Sequence, residues 1–262
     1  MSIATIPAPF PVTGPNLAAA LSHATRSSID QVRRSIRPHV SAHSVVENDV
    51  IKSYTVTRTG IGPLLTRFGM VWAYTFAVDD DWGEYTVISN VPPDSRTLQP
   101  AFRSTTPLLL RVDSGCASGQ VFGELTCDCR QQLHLALRGL GNGPEGVIIC
   151  ITLQDGRGRG GSFKLATLWL QQELGLNTIE SAALLSDGGS IDVRTYGGAV
   201  AVMRAIGIDR SRPIRLLSNS PTKRAALEEN GHTVVSVAHA VPATSHTRRH
   251  FDAKARCLGH VA

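Results

Sequence analysis

Three of the five cysteines, Cys116, Cys127 and Cys129, fall within fourteen residues, where an even scatter would leave about fifty between neighbours. An odd count clustered this way argues against a disulfide framework and for thiols that hold a metal or do chemistry. Zinc takes thiolates in tetrahedral sites. Four protein ligands close a structural site, whereas three leave a position for water and a Lewis-acidic centre. The spacing C-x10-C-x-C supplies three. The nearest further ligand is His134, one turn into the following helix. A structural site completed by His134, and buried small residues with no metal, therefore stand beside the catalytic reading.

A second group is glycine-rich. Gly156, Gly158, Gly160 and Gly161 surround Arg157 and Arg159 between an apolar run and a helical one. Open backbone N–H groups at a helix N-terminus suit a phosphate, and arginine adds a bidentate partner, although most such loops are merely turns. Asp192 and Arg194, taken alone, read as a surface ion pair.

The elements that must carry these residues come in two styles. Residues 1–50 are weakly patterned and are read as an N-terminal extension, open to being only partly ordered, with a short helix over 28–36. From Ile51 to Val91 β-branched and aromatic residues alternate with turn signals (54–56, 70–78, 85–88), and 79–83 reads as a hairpin connection, so antiparallel sheet is expected. After the strand 108–112, helices over 131–140, 164–174, 196–206 and 221–229 alternate with strands over 146–153, 214–217 and 233–237. The expected fold class is α/β, a layered mixed sheet flanked by helices with a β-rich N-terminal part. No internal repeat is visible, and the tail from Pro242 is polar and basic.

Composition narrows the function classes. Hydrophobic residues make up 42% and charged ones 18%, which suits a soluble globular protein, and no apolar run approaches the roughly 18 residues of a membrane span. The segment 1–16 is Pro-rich without a basic start and an apolar core, so a cytoplasmic location is the default. The net charge of +5 is thinly spread and aromatics are only 5%, which speaks against a nucleic-acid partner and for a phosphorylated small molecule.

The run Arg111-Val-Asp-Ser-Gly-Cys116, then Gly119-Gln-Val-Phe-Gly-Glu-Leu-Thr-Cys127-Asp-Cys129, then Gln132-Leu133 resembles the zinc segment of GTP cyclohydrolase II, the riboflavin-pathway type. That family reads R-V-H-S-E-C and G-D-x-F-x-S-x-R-C-D-C-G-x-Q-L. The likeness continues through Gln154-Asp-Gly-Arg-Gly158, Leu170-Gln171, Asp192-Val-Arg-Thr-Tyr196, Leu216-Leu-Ser-Asn-Ser-Pro221 and Phe251-Asp-Ala-Lys254 to Gly259-His260, in family order. It implies a catalytic domain over 51–262, a homodimer, and opening of the imidazole ring of GTP with release of formate and pyrophosphate. It also implies one zinc per chain on Cys116, Cys127 and Cys129, supplying the water that attacks C8, with Mg2+ on the triphosphate. Arg194 would be the nucleophile at the α-phosphorus and Asp192 its proton acceptor. The matching nucleotide contacts are Arg111, Ser114, Gln132, Asp155, Gly156, Arg157, Thr178, Ser218 and Lys223.

The chain departs from the family where the pocket should be. The family's H-S-E before the first cysteine is here Asp113-Ser114-Gly115; its Glu in E-G-R is Asp155; its Tyr on the helix after the glycines falls on Leu168. Each lost hydrogen bond to a buried substrate group costs about 1–3 kcal/mol. Altered substrate or product is therefore an alternative outcome: another nucleotide, a retained formyl group, or pyrophosphate release alone. A catalytically silent nucleotide-binding zinc protein is the remaining one.

Overall fold

The computed structural model describes residues 26–79, 84–152 and 154–258. The expected hairpin connection lies partly outside them, as do Leu153, the Gly259-His260 pair and the first half of the N-terminal extension. One mixed sheet of eight strands organises the described residues, in the order β1-β2-β3-β4-β6-β5-β7-β8. Strands β1 (His39–Glu47), β2 (Val50–Thr66), β3 (Gly69–Val78) and β4 (Glu84–Ser89) are antiparallel neighbours, as the alternation of 51–91 implied. Strands β5 (Leu108–Asp113), β6 (Gly146–Ile151), β7 (Ile214–Leu217) and β8 (Val234–Val237) form the parallel half, joined through the antiparallel β4–β6 pair. The α/β expectation therefore holds.

Burial explains the two styles. All six residues of β5 are buried, because helices cover both its faces. On one face packs α7 (Gly197–Ala205), whose residues from Gly197 to Met203 are all buried; the other carries α3 (Cys129–Asn142), which closes a smaller cluster of Leu109, Ala136, Leu140, Ile148 and Leu217. The remaining helices are α1 (Arg26–Ser35), α2 (Ala117–Gln120), α4 (Asp155–Gly158), α5 (Gly160–Leu174), α6 (Thr178–Leu185), α8 (Pro221–Glu229) and α9 (Arg248–Leu258). No helix among the described residues is long and apolar enough to cross a membrane.

On α5, Leu165 and Trp169 are exposed, and Thr167 is its one buried residue. One finding differs from the sequence reading: the sheet begins inside the stretch read as an extension, since β1 pairs along its whole length with 50–58. Only Val45 and Glu47 of β1 are buried, too few to make a legible alternation.

Glu47 gives that strand a structural task. It is buried and accepts hydrogen bonds from the Gly197 amide (3.0 Å), the Tyr54 hydroxyl (3.0 Å) and Lys52 Nζ. Burial pushes its carboxyl up, but those three donors outweigh it and leave the pKa below the ordinary value. A carboxylate at the first turn of α7 also complements the helix dipole. Glu47→Ala strands the buried Gly197 amide, so it is expected to lower stability by about 1–3 kcal/mol, with Glu47→Gln losing less. Urea unfolding of the two variants checks this; an unchanged midpoint for the alanine variant would rule out the anchor.

Candidate active site

The loops that follow all four parallel strands meet at the carboxyl edge of the sheet, where open α/β sheets place ligand sites. After β5 come Ser114, Gly115 and Cys116; after β6, Gln154 to Gly158; after β7, Ser218 to Ser220; after β8, His239. Two adjoining cavities result. The larger, about 370 Å3, is walled by Arg111, Gln132, Ser218 and Lys223 together with Asp113 and His239. The smaller, about 90 Å3, is walled by the three cysteines, Asp155, Gly156, Arg157, Thr178 and Lys164. Ser114, Gly115, Cys129 and Arg194 wall both. The structure thus brings every sequence-predicted site residue to one place, Asp192 included through its pairing with Arg194.

The sulfurs of Cys116, Cys127 and Cys129 lie within 4.8 Å of one another, and among the described residues no other such group of potential ligands occurs. Cys116 Sγ and Cys127 Sγ are 3.8 Å apart. Tetrahedral metal–sulfur bonds of about 2.3 Å put two sulfurs about 3.8 Å apart, so the cluster is spaced for one metal ion. A Cβ at Gly119 would sit 2.5 Å from Cys127 Sγ, so glycine there makes room for the sulfur. Hydrogen bonds from Cys127 and Cys129 pull the Cys116 thiol well below its ordinary pKa, aided by Ser118 and Lys164 against burial. His134 is turned elsewhere: its Nδ1 meets Arg67 Nη2 at 2.6 Å and its ring packs on Phe68.

Gly115 adopts φ +68°, and a Cβ there would lie 2.7 Å from the Ile151 carbonyl oxygen. A glutamate at this position, as in the resembled family, would need the loop to move. Behind it, Asp113 is 3% exposed and saturated. Its Oδ2 accepts from Arg111 Nε (3.0 Å) and Nη2 (2.8 Å), its Oδ1 from Gln120 Nε2 (2.8 Å) and the Gly115 amide (3.1 Å). Burial opposes ionisation, but Arg111 and Lys223 overcome it and hold Asp113 below the usual carboxylate range. Arg111 also donates to Gln132 Oε1 (2.9 Å), and Lys223 Nζ to the Val112 carbonyl (2.8 Å). Ser218 Oγ accepts the Ser220 amide at 3.1 Å. Ser114 Oγ is buried without a partner among the described residues, at the junction of the cavities.

In the smaller cavity the glycines turn the chain sharply. Gly156 and Arg157 both have positive φ (59° and 63°), an arrangement costly for arginine and held by its neighbours. The Arg157 carbonyl accepts the Val193 amide (3.0 Å), and Arg157 Nη2 reaches Thr178 Oγ1 (3.3 Å). A Cβ on Gly158 would lie 3.0 Å from the Arg194 nitrogen, so the glycine loop and the 192–194 segment are packed backbone to backbone. Asp192 takes Arg194 with both oxygens, Nε to Oδ1 at 2.8 Å and Nη2 to Oδ2. Asp155 binds the Gly156 (2.7 Å) and Ala117 (3.2 Å) amides, and burial followed by the charge of Cys116 raises its pKa.

Among the wall residues that escaped the sequence reading, Lys164 and His239 carry the most charge chemistry. Lys164 lies among the thiols and 3.9 Å from Glu124, and its place in the first turn after the glycines was the available signal. His239 is buried, with Nε2 2.9 Å from the Gln132 carbonyl; since that oxygen only accepts, Nε2 carries the proton. Burial, then Arg111, lowers its pKa to about 4, so the ring is neutral near pH 7. No motif marked it.

A model of the GTP cyclohydrolase II family matches residues 62–239. Among curated proteins, the chain is 36% identical over 156 residues to the riboflavin biosynthesis protein RibBA of Phocaeicola vulgatus, covering 59% of this chain and 37% of that protein. It is 31% identical over 225 residues to the monofunctional riboflavin biosynthesis protein RIBA 3, chloroplastic, of Arabidopsis thaliana (86% of this chain, 41% of that one). It is also 35% identical over 204 residues to RibBA of Bacillus subtilis (76% and 46%). The chain spans less than half the length of each of these relatives.

Proposed function

The chain belongs to the GTP cyclohydrolase II family, and on that premise we propose that it opens the imidazole ring of GTP, releasing C8 as formate and the β- and γ-phosphates as pyrophosphate. The observation that carries this reading is the meeting of the thiol cluster and the Asp192–Arg194 pair at one junction, walled by Ser114 and Cys129. Cys116, Cys127 and Cys129 would hold zinc, a borderline-soft ion suited to thiolates. Zinc held there would supply a Lewis acid able to make water nucleophilic toward C8 near neutral pH. Lys164, whose ammonium is favoured by the thiolate charges against the cost of burial, offsets the surplus negative charge of three thiolates around a dication.

The remaining residues bind and orient. Asp155, Arg157 and Thr178 wall the lobe assigned to the purine; Gln132, Ser218, Lys223 and Arg111 wall the lobe assigned to the phosphates, which arrive with Mg2+. The bare Ser114 hydroxyl is a hydrogen-bonding partner for the ligand between them. At the α-phosphorus, Asp192 fixes Arg194 through Nε and Nη2 and leaves Nη1 outside that pair. Nη1 forms the P–N bond as pyrophosphate leaves with the electron pair of the broken P–O bond, and Asp192 accepts the guanidinium proton. Water then cleaves the P–N bond. Exposed Leu165 and Trp169 on α5 support a homodimer.

Two observations favour a second reading in which substrate or product is altered. Asp155 has both oxygens committed to backbone amides, and Leu168 offers no hydroxyl to move a proton near C8. A discontinuous assay of zinc-loaded protein with GTP and Mg2+, resolving formate, pyrophosphate and nucleotide products, separates the readings. Formate and pyrophosphate in equal amounts are expected. Pyrophosphate without formate would replace the first reading by the second, and no turnover of GTP would refute the choice of base.

A further inference from the structure

Resting on the nucleotide reading of the site, we propose that Asp113 sets how strongly the larger cavity prefers a long phosphate chain, by occupying the face of Arg111 that would otherwise take a phosphate. A guanidinium recognises phosphate through paired N–H donors on one edge. In this chain the Nε and Nη2 edge of Arg111 is already taken by Asp113 Oδ2, at 3.0 and 2.8 Å. The same Nη2 serves Gln132 Oε1 (2.9 Å), and Nη1 donates to the Leu217 carbonyl (3.3 Å).

Asp113 cannot swing aside cheaply, because its other oxygen holds Gln120 and the Gly115 amide, and Gln120 Oε1 in turn accepts the Cys116 amide at 3.3 Å. Its charge therefore stays beside Arg111 when a ligand arrives. Among the described residues the wall has no cationic surplus: Arg111, Lys223 and Arg194 stand beside Asp113, Asp128 and Asp252, three against three. Such a wall holds a nucleotide through hydrogen bonds but gains little for each added phosphate charge. Removing the Asp113 charge leaves a buried guanidinium uncompensated, and a polyphosphate is the group that restores its partner.

The test compares the zinc-loaded full chain with Asp113→Asn and Asp113→His, the second being the residue of the resembled family. Isothermal titration with inorganic tripolyphosphate, GMP and GTP, each with Mg2+, gives the affinities. Both variants are expected to bind tripolyphosphate and GTP at least about tenfold tighter, with GMP within about threefold. The unmodified chain is expected to favour GTP over GMP by less than about tenfold. Unchanged or weaker tripolyphosphate binding in a variant that keeps its zinc and circular dichroism overturns the proposal. So does a preference for GTP over GMP above about a hundredfold in the unmodified chain, a measurement that needs no variant to fold. If no guanine nucleotide binds at all, the proposed function fails, while the tripolyphosphate comparison still decides the role of Asp113.

Discussion

Cys129→Ser is expected to give a folded protein that still binds GTP but releases no measurable formate. Of the three thiols it is the one whose replacement disturbs the fold least. Cys116 and Cys127 are buried, 5% and 2% exposed, whereas Cys129 is half-buried and opens α3. It also walls both cavities, at the junction where the proposed reaction would take place. Serine is nearly isosteric, but its hydroxyl keeps its proton near neutral pH and is a poor zinc ligand beside two thiolates. Loss of the metal removes several kcal/mol of transition-state stabilisation, about 10^3-fold or more in rate. Metal content by mass spectrometry, nucleotide binding by calorimetry and formate release are measured on the same preparation. Formate production at the unmodified rate from a zinc-depleted variant would remove the metal from the mechanism.

Of the candidate site, the thiols and the glycine loop were legible in the residues themselves, because fixed spacing and glycines at positive φ are short, contiguous signals tied to backbone geometry. Asp192 and Arg194 alone read as a surface ion pair, and their assignment, like that of the nucleotide contacts, came from the family resemblance. The parallel strands were legible for a related reason: β5 and β6 are almost wholly buried, so Leu108 to Leu110 and Val147 to Ile149 read as apolar runs, although β5 also carries Arg111 and Asp113. What stayed hidden depends on contacts between distant segments. Glu47 belongs to a strand with two buried residues, and its meaning comes from Gly197, 150 positions away. His239 acquires its tautomer from the Gln132 carbonyl, and Asp113 its weight from Gln120 and Arg111. On α5, Leu165 and Trp169 point outward, because the inner side of that helix is spent on Lys164 and Thr167 at the site.

Arg194→Lys is expected to stop pyrophosphate release while leaving the zinc and the fold in place. The substitution keeps a positive charge within reach of the α-phosphorus, so simple attraction survives it. What it removes is the planar fork. Asp192 grips Nε and Nη2 together and thereby aims Nη1, whereas an ammonium is a compact charge whose three donors rotate freely and fix no direction. Asp192, Arg157 and Arg194 also share one electrostatic balance. Burial opposes charge on all three: for Arg157 burial and the Arg194 charge outweigh Asp192 and leave its pKa below the ordinary value, for Arg194 Tyr196 and Asp192 together outweigh burial, and Arg194 in turn keeps the aspartate ionised. A lysine in that place therefore loses nucleophile and geometry at once, a loss of about 10^2- to 10^3-fold for a single misplaced transition-state group. Asp192→Asn separates the two parts: it keeps a hydrogen-bond acceptor for Arg194 but cannot take its proton, so it should fall in kcat with little change in KM. Should Arg194→Lys retain pyrophosphate release within threefold of the unmodified chain, the guanidinium acts only as a counter-charge and the P–N bond is not formed.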